Sequence, residues 1–161
     1  MITAYKRRRE GKTNYAKRLS MLKSKKNRIV VRLSNMFINA QYVEHNRIGD
    51  NIKLGTLSKE LKELGWKKGF RNISACYLTG YLFAKEAIKL KLPKDVILDL
   101  GLQNSFMGGR IYACVKGMKD AGLDVAVSAE VFPSEDRIKG KHVKLEKEFD
   151  AVLSTINGKY K

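Results

Sequence analysis

The chain has 161 residues, 43% hydrophobic and 30% charged, with a formal net charge of +17. That length and usage fit one globular domain with a real core and exclude a disordered or fibrous chain. No apolar run reaches the roughly 18 residues of a membrane span, and two cysteines 38 positions apart match neither a disulfide framework nor a zinc-ligand spacing.

Residues 1–28 concentrate the charge: eleven Lys/Arg face the single acid Glu10, giving +10 of the +17. The start of the chain also lacks the apolar stretch of a signal peptide, so a reducing, cytosolic location is expected. Tyr5–Gly11, carrying Lys6, Arg7, Arg8 and Arg9, is predicted to be an extended or disordered arm. A short helix follows, with Thr13 as its predicted N-cap. Tyr15, Leu19 and Leu22 fall at i, i+4 and i+7 as an apolar docking stripe, while Lys17, Arg18 and Lys25 project from other faces. Ser24-Lys25-Lys26-Asn27 ends it.

Arg28–Leu33 alternates, with Ile29, Val31 and Leu33 on one face and Arg28, Val30 and Arg32 on the other, the mark of a half-buried strand. Ser34-Asn35 reads as a turn, Met36–Tyr42 as a second strand, Asn46–Asn51 as a polar loop and Ile52–Thr56 as a third strand. Ser58–Leu64 is a predicted short helix stopped by Gly65. From Ile73 a wide apolar arc of helical period runs to Pro93. Asp95–Leu100 is a continuous apolar run, expected to be a buried, parallel-type strand. The Gly101–Gly109 loop leads into a helix through Ile111, Cys114, Val115 and Met118, with Gly122 at its end. The order βββαβα predicts an α/β fold: a mixed sheet, three antiparallel strands plus one parallel-type strand, packed with helices. The expected organisation is a basic arm and helix over 1–27, an α/β domain over 28–132, and a charged extension over 133–161 with a weak amphipathic stretch at Leu145, Phe149, Val152 and Ile156.

The dense cations, interleaved with Tyr5 and Tyr15 and nearly free of acids, point to a polyanion, and nucleic acid is the usual one. Lys23, Lys25 and Lys26 extend the candidate surface toward Arg28 and Arg32. Absence of a recognition-helix or zinc-finger motif favours RNA over DNA. Gly108-Gly109-Arg110 reads either as a phosphate-binding helix start, with Arg110 assisting, or as a glycine turn needed for packing. Asp95 and Asp99 raise the alternative of a metal-dependent nuclease, although no further carboxylates are grouped with them and Asp99 also reads as a strand-end turn residue. A non-specific basic nucleic-acid-binding protein is a third reading. Cys76 and Cys114 read as buried apolar side chains, Trp66 as a core anchor, and neither His45 nor His142 has a nucleophile or carboxylate at triad spacing. No cofactor, metal, membrane or small-molecule substrate is expected.

The string Arg7–Tyr15 strongly resembles the N-terminal arm of the archaeal-type 5S rRNA-binding proteins of the large ribosomal subunit. Arg28–Asn35 with Ala40-Gln41, Gly65-Trp66, Ser74–Gly80, Val96–Gly101 and Ala121–Asp124 match the same family in order and approximate spacing. The resemblance covers roughly residues 5–143. It implies a non-enzymatic ribosomal protein of the cytoplasm whose partners are 5S rRNA, large-subunit rRNA and neighbouring large-subunit proteins. It also implies that Arg7, Arg8, Arg9, Lys12, Thr13, Tyr15, Lys17 and Arg18 lie along the rRNA backbone, with Arg28, Arg32, Ser34 and Asn35 facing RNA from the first strand and its turn. An Arg…Gly…His pattern in the family's tail corresponds to Arg137, Gly140 and His142 and implies contacts from Lys139 and Lys141 as well. Where many members carry Lys-His after the Ser-Asn turn this chain has Met36-Phe37, so polar contacts are not expected there. The resemblance is not traced beyond Val143, and the residues there are expected to be a lineage-specific tail.

Overall fold

Alternation of Ile29, Val31 and Leu33 places them on one face of β1 (Asn27–Leu33), where Ile29 and Val31 are fully buried. β1 pairs antiparallel with β2 (Ile38–His45), which pairs antiparallel with β3 (Asp50–Leu57). On its other side β1 pairs parallel with β4 (Asp95–Asp99), and β4 pairs parallel with the two-residue β5 (Asp124–Val125). The five-stranded order is β3-β2-β1-β4-β5, so the predicted mixed sheet is present, extended by a strand too short to show a pattern in the sequence. This computed structural model describes residues 3–46 and 49–160; positions 1–2, 47–48 and 161, which include part of the expected Asn46–Asn51 loop and the outer ends of the arm and tail, lie outside them.

α3 (Ile73–Lys89) and α4 (Arg110–Asp120) cover the apolar face of the sheet and cross each other closely. The closeness is set by Gly80 and Gly117: a Cβ at Gly80 would collide with the Cys114 carbonyl, and one at Gly117 with the Tyr77 carbonyl. Only the missing side chains let the two backbones meet. Asn72 caps α3 by accepting from the Ala75 N–H at 2.6 Å. Trp66 is fully buried and donates its indole N–H to Gly69 O at 3.3 Å, as a core anchor should.

The segment expected to be a helix over Ser58–Leu64 is a 3-10 turn, Ser58–Lys62, whose Ser58 hydroxyl accepts from the Ile38 N–H at 3.1 Å. The weak amphipathic stretch near the end forms α6 (Glu146–Lys159), preceded by the single turn α5 (Glu135–Lys139). Phe149, Val152 and Ile156 join the main core, and the Phe149 ring lies 5.6 Å from that of Tyr77. Tyr81 Oη donates to Asn157 Oδ1 at 2.7 Å, and Tyr160 Oη donates to Glu86 at 2.8 Å, tying α6 to α3 at its far end.

Candidate nucleic-acid interface

The arm has more structure than its composition predicts. Lys6–Arg9 forms one helical turn, α1, and a second helix, α2, spans Tyr15–Lys23. Tyr5 supplies the carbonyl that accepts the Arg8 and Arg9 N–H groups, and its ring lies 5.2 Å from that of Tyr15. Arg7 Nε donates to Thr13 Oγ1 at 2.9 Å, so the arm folds back on the start of α2. Thr13 is thereby used as an acceptor for Arg7, and Asn14, not Thr13, is the N-cap, accepting from the Lys17 N–H at 3.0 Å.

The expected apolar docking stripe is also different. Of its three residues Tyr15 and Leu22 are half-buried, but Leu19 is 56% exposed, and Arg18 and Met21 are half-buried in its stead. The physical reason lies in what α2 faces. The surface of β1 away from the core carries Arg28 and Arg32, and a charged sheet face is matched by charge. Arg18 donates to Asp50 Oδ2 at 2.7 Å, and Arg28 NH2 reaches the same oxygen at 2.8 Å. Arg28 NH1 then meets Asp99 Oδ2 at 3.2 Å, and Arg32 NH2 meets Asp99 Oδ1 at 3.1 Å. Guanidinium and carboxylate alternate along this ladder: Arg18, Asp50, Arg28, Asp99, Arg32.

Arg28 was expected to face RNA; instead its side chain is 2% exposed. It is a structural cation that neutralises two acids, and its Nε has no hydrogen-bond partner among the described residues. Burial pushes the Asp50 carboxyl up, but the Arg28 and His45 hydrogen bonds, reinforced by the Arg18 charge, outweigh it and hold the group below its ordinary value. Asp99 also accepts from the Gly101 N–H at 2.8 Å, the strand-end turn expected of it. With both its oxygens occupied by guanidinium and amide donors, it is the opposite of a vacant metal ligand. Asp95 is exposed and paired with Lys26 at 2.7 Å. Burial pushes the Cys76 thiol up to about 12 and the Cys114 thiol well above its ordinary value, which leaves both unreactive.

Above the ladder the cations are outward and unneutralised. Lys6, Arg7, Arg8, Arg9, Lys17, Lys23 and Lys25 are exposed and have no carboxylate partner among the described residues, whereas Lys12 pairs with Glu10 at 3.0 Å. A cleft between arm and sheet is lined by Arg7, Lys12, Thr13, Lys17, Arg18 and Arg32. Arg32 remains 40% exposed at its edge, and its guanidinium packs over Gly101, where a Cβ would come within 2.8 Å of it. Ser34 and Asn35 stand exposed at the β1–β2 turn, with the Ser34 hydroxyl accepting from the Phe37 N–H at 3.0 Å. Gln103 straps the neighbouring loop to the end of β1, accepting from Leu33 N–H at 2.9 Å and donating to Leu33 O at 2.6 Å.

Arg110 and Arg137 are exposed and line one cavity with Arg71, a residue that no motif in the sequence singled out. Lys139, Lys141 and His142 are exposed on the other side of Ile138, and Lys141 is engaged by Asp136. The structure therefore gathers the arm, α2 and Arg32 into one surface, brings Arg110 and Arg137 together around a second cavity, and sets His142 with Arg137 along a third. No helix among the described residues is long and apolar enough to cross a membrane.

Comparison with known proteins bears on this surface. The family model described as ribosomal large subunit proteins 60S L5 and 50S L18 matches residues 2–94, which holds the arm, α2 and most of the sheet. The chain is 48% identical over 139 residues to a large ribosomal subunit protein uL18 of Korarchaeum cryptofilum, covering 86% of this chain and 71% of that protein. It is 43% identical over 162 residues to the uL18 protein of Sulfurisphaera tokodaii, covering 97% and 82%. With the uL18 protein of Methanococcoides burtonii it shares 41% over 160 residues, 95% and 92% of the two chains. A cationic arm anchored on an ion-paired sheet, and similarity at this level across nearly the whole length, place the chain in the family of ribosomal large subunit proteins 60S L5 and 50S L18.

Proposed function

We propose that this protein is a non-enzymatic constituent of the large ribosomal subunit that binds 5S rRNA and helps attach it to the large-subunit rRNA, in the cytoplasm with the ribosome. The observation that carries the reading is the division of labour among its arginines and lysines. Arg18, Arg28 and Arg32 are paired with Asp50 and Asp99, and the Arg18–Asp50 pair ties α2 to the sheet. Apart from Lys12, which pairs with Glu10, the outward cations from Lys6 to Lys25 have no carboxylate partner among the described residues and so remain available for phosphates. Each phosphate they neutralise releases counterions and adds about 0.7–0.9 to the slope of log K against log salt. Phosphate contacts of this kind position a protein without reading bases. Choice of RNA then comes from the fixed geometry of the arm, α2 and the Ser34–Asn35 turn against the shape of a folded RNA.

Crosslinking in cells, followed by identification of the attached RNA, tests the reading. A dominant 5S rRNA product is expected. A spread over unrelated RNAs in proportion to their abundance would replace it with non-specific binding.

A further inference from the structure

The cavity that Arg110 and Arg137 share with Arg71 has an unusual lining. Its side chains include three guanidiniums, the rings of Phe106 and Phe132, and no carboxylate. None of the three arginines has an acidic partner among the described residues; Arg71 has only a 3.4 Å contact to Asn35 O. Arg110 and Arg71 also act together on Cys76, where their charges pull against the rise caused by burial. Three like charges around one cavity repel one another until an anion enters.

Phe106 and Met107 stand over this cavity at 75% and 76% exposure. They are not the tips of a slack loop. Gly109 N–H donates to Phe106 O at 2.9 Å, and Gly108 N–H donates to Val131 O at 2.9 Å. Gly108 has φ +66°, and a Cβ on Gly109 would lie 2.7 Å from Phe106 O, so the two glycines permit the tight turn that holds Phe106 outward. A fixed, solvent-facing ring beside unpaired guanidiniums is the arrangement that binds an unstacked base and its phosphate.

The cavity also has neighbours toward the arm. Arg32 and Leu102 line the arm cleft, and the residues that follow them in the chain, Leu33 and Gln103, line the next cavity, which shares Arg71, Phe106 and Arg110 with this one. All three follow the C-terminal ends of the parallel strands β1 and β4, where open α/β sheets take ligands. We infer that Phe106, with Arg71, Arg110 and Arg137, forms a nucleotide site: an unpaired base of the arm-bound RNA stacks on Phe106 while its phosphate enters between the three guanidiniums. This rests on the RNA-binding reading above and adds to it a specific base-holding residue outside the arm.

The test uses the full-length chain bound to 5S rRNA, with a benzophenone amino acid in place of Phe106 and, in a separate protein, in place of Tyr5. Irradiation is expected to attach an unpaired 5S nucleotide at position 106, different from the one attached at position 5. Attachment at 5 but not at 106, or attachment at 106 to another RNA or to protein, overturns the nucleotide site and leaves the 5S reading standing. Attachment of 5S at neither position overturns both. In parallel, Phe106→Leu is expected to weaken 5S rRNA binding by roughly 5- to 100-fold with little change in salt slope. The double change Arg110→Gln and Arg137→Gln, at two exposed side chains around that one phosphate, is expected to lower the slope by about 1. Unchanged affinity and slope in these variants also overturn the site.

Discussion

Arg28 and Arg8 are the same residue type in the same basic segment, and burial alone separates their roles. Arg28 sits under α2 between Asp50 and Asp99, so removing either acid leaves a buried guanidinium undercompensated. Asp99→Asn is expected to lower stability by about 3 kcal/mol, read as a shift in the denaturant midpoint. Asp50 provides a pH test at the same place. Its folded carboxyl is held below the ordinary 3.8, so its contribution to stability is fully present above that value and is lost as pH falls through the lowered folded one. The stability difference between the native protein and Asp50→Asn is expected to be constant from pH 7 to 5 and to shrink toward pH 3 in urea titrations. At Lys25 the backbone has φ +57°, a left-handed conformation that follows the last turn of α2 and that glycine adopts freely. Lys25→Gly is expected to leave folding stability unchanged or slightly raised while reducing the salt slope of RNA binding by about 1.

Among the elements, α3 and α4 depend on two missing side chains. Gly80→Ala is expected to force the helices apart and destabilise the protein by about 3 kcal/mol, measured by thermal unfolding, because the colliding Cys114 carbonyl is backbone and has no rotamer to move to. Helices and strands of this kind were legible from the sequence because periodicity reports burial: Ile29, Val31 and Leu33 mark β1, and the arc from Ile73 marks α3. The misplaced features are those decided by tertiary charge. Leu19 looked like a docking residue by spacing, but α2 rests on a sheet face carrying Arg28, so Arg18 turns inward and Leu19 outward. The arm's helical turn depends on the Tyr5 carbonyl accepting from Arg8 and Arg9, and the α2 cap on Asn14 accepting from Lys17 N–H while Thr13 accepts from Arg7, local bonds that no hydropathy pattern reveals. β5 has two residues and no period at all. The candidate site was legible as a list of cations, but which of them remain free for a ligand was not, because Asp50 and Asp99 reach Arg28 from 22 and 71 positions away in the chain.

For the molecule as a whole, the +17 charge is divided between an ion-paired platform and a free outer layer. The platform begins at β1, and the main core begins at Ile29, so the body does not need the arm to bury its apolar surface. The outer layer supplies most of the electrostatic affinity and is held in a fixed orientation by Arg18. The most direct measurement is 5S rRNA binding as a function of salt for the full chain and for residues 28–161. The shortened chain is expected to remain folded, to bind far more weakly at physiological salt, and to show a slope smaller by roughly 5, from the loss of the seven outward cations between Lys6 and Lys25. Equal affinity and an unchanged slope, in a shortened chain that is still folded, would contradict the central claim that the arm and α2 are the RNA clamp.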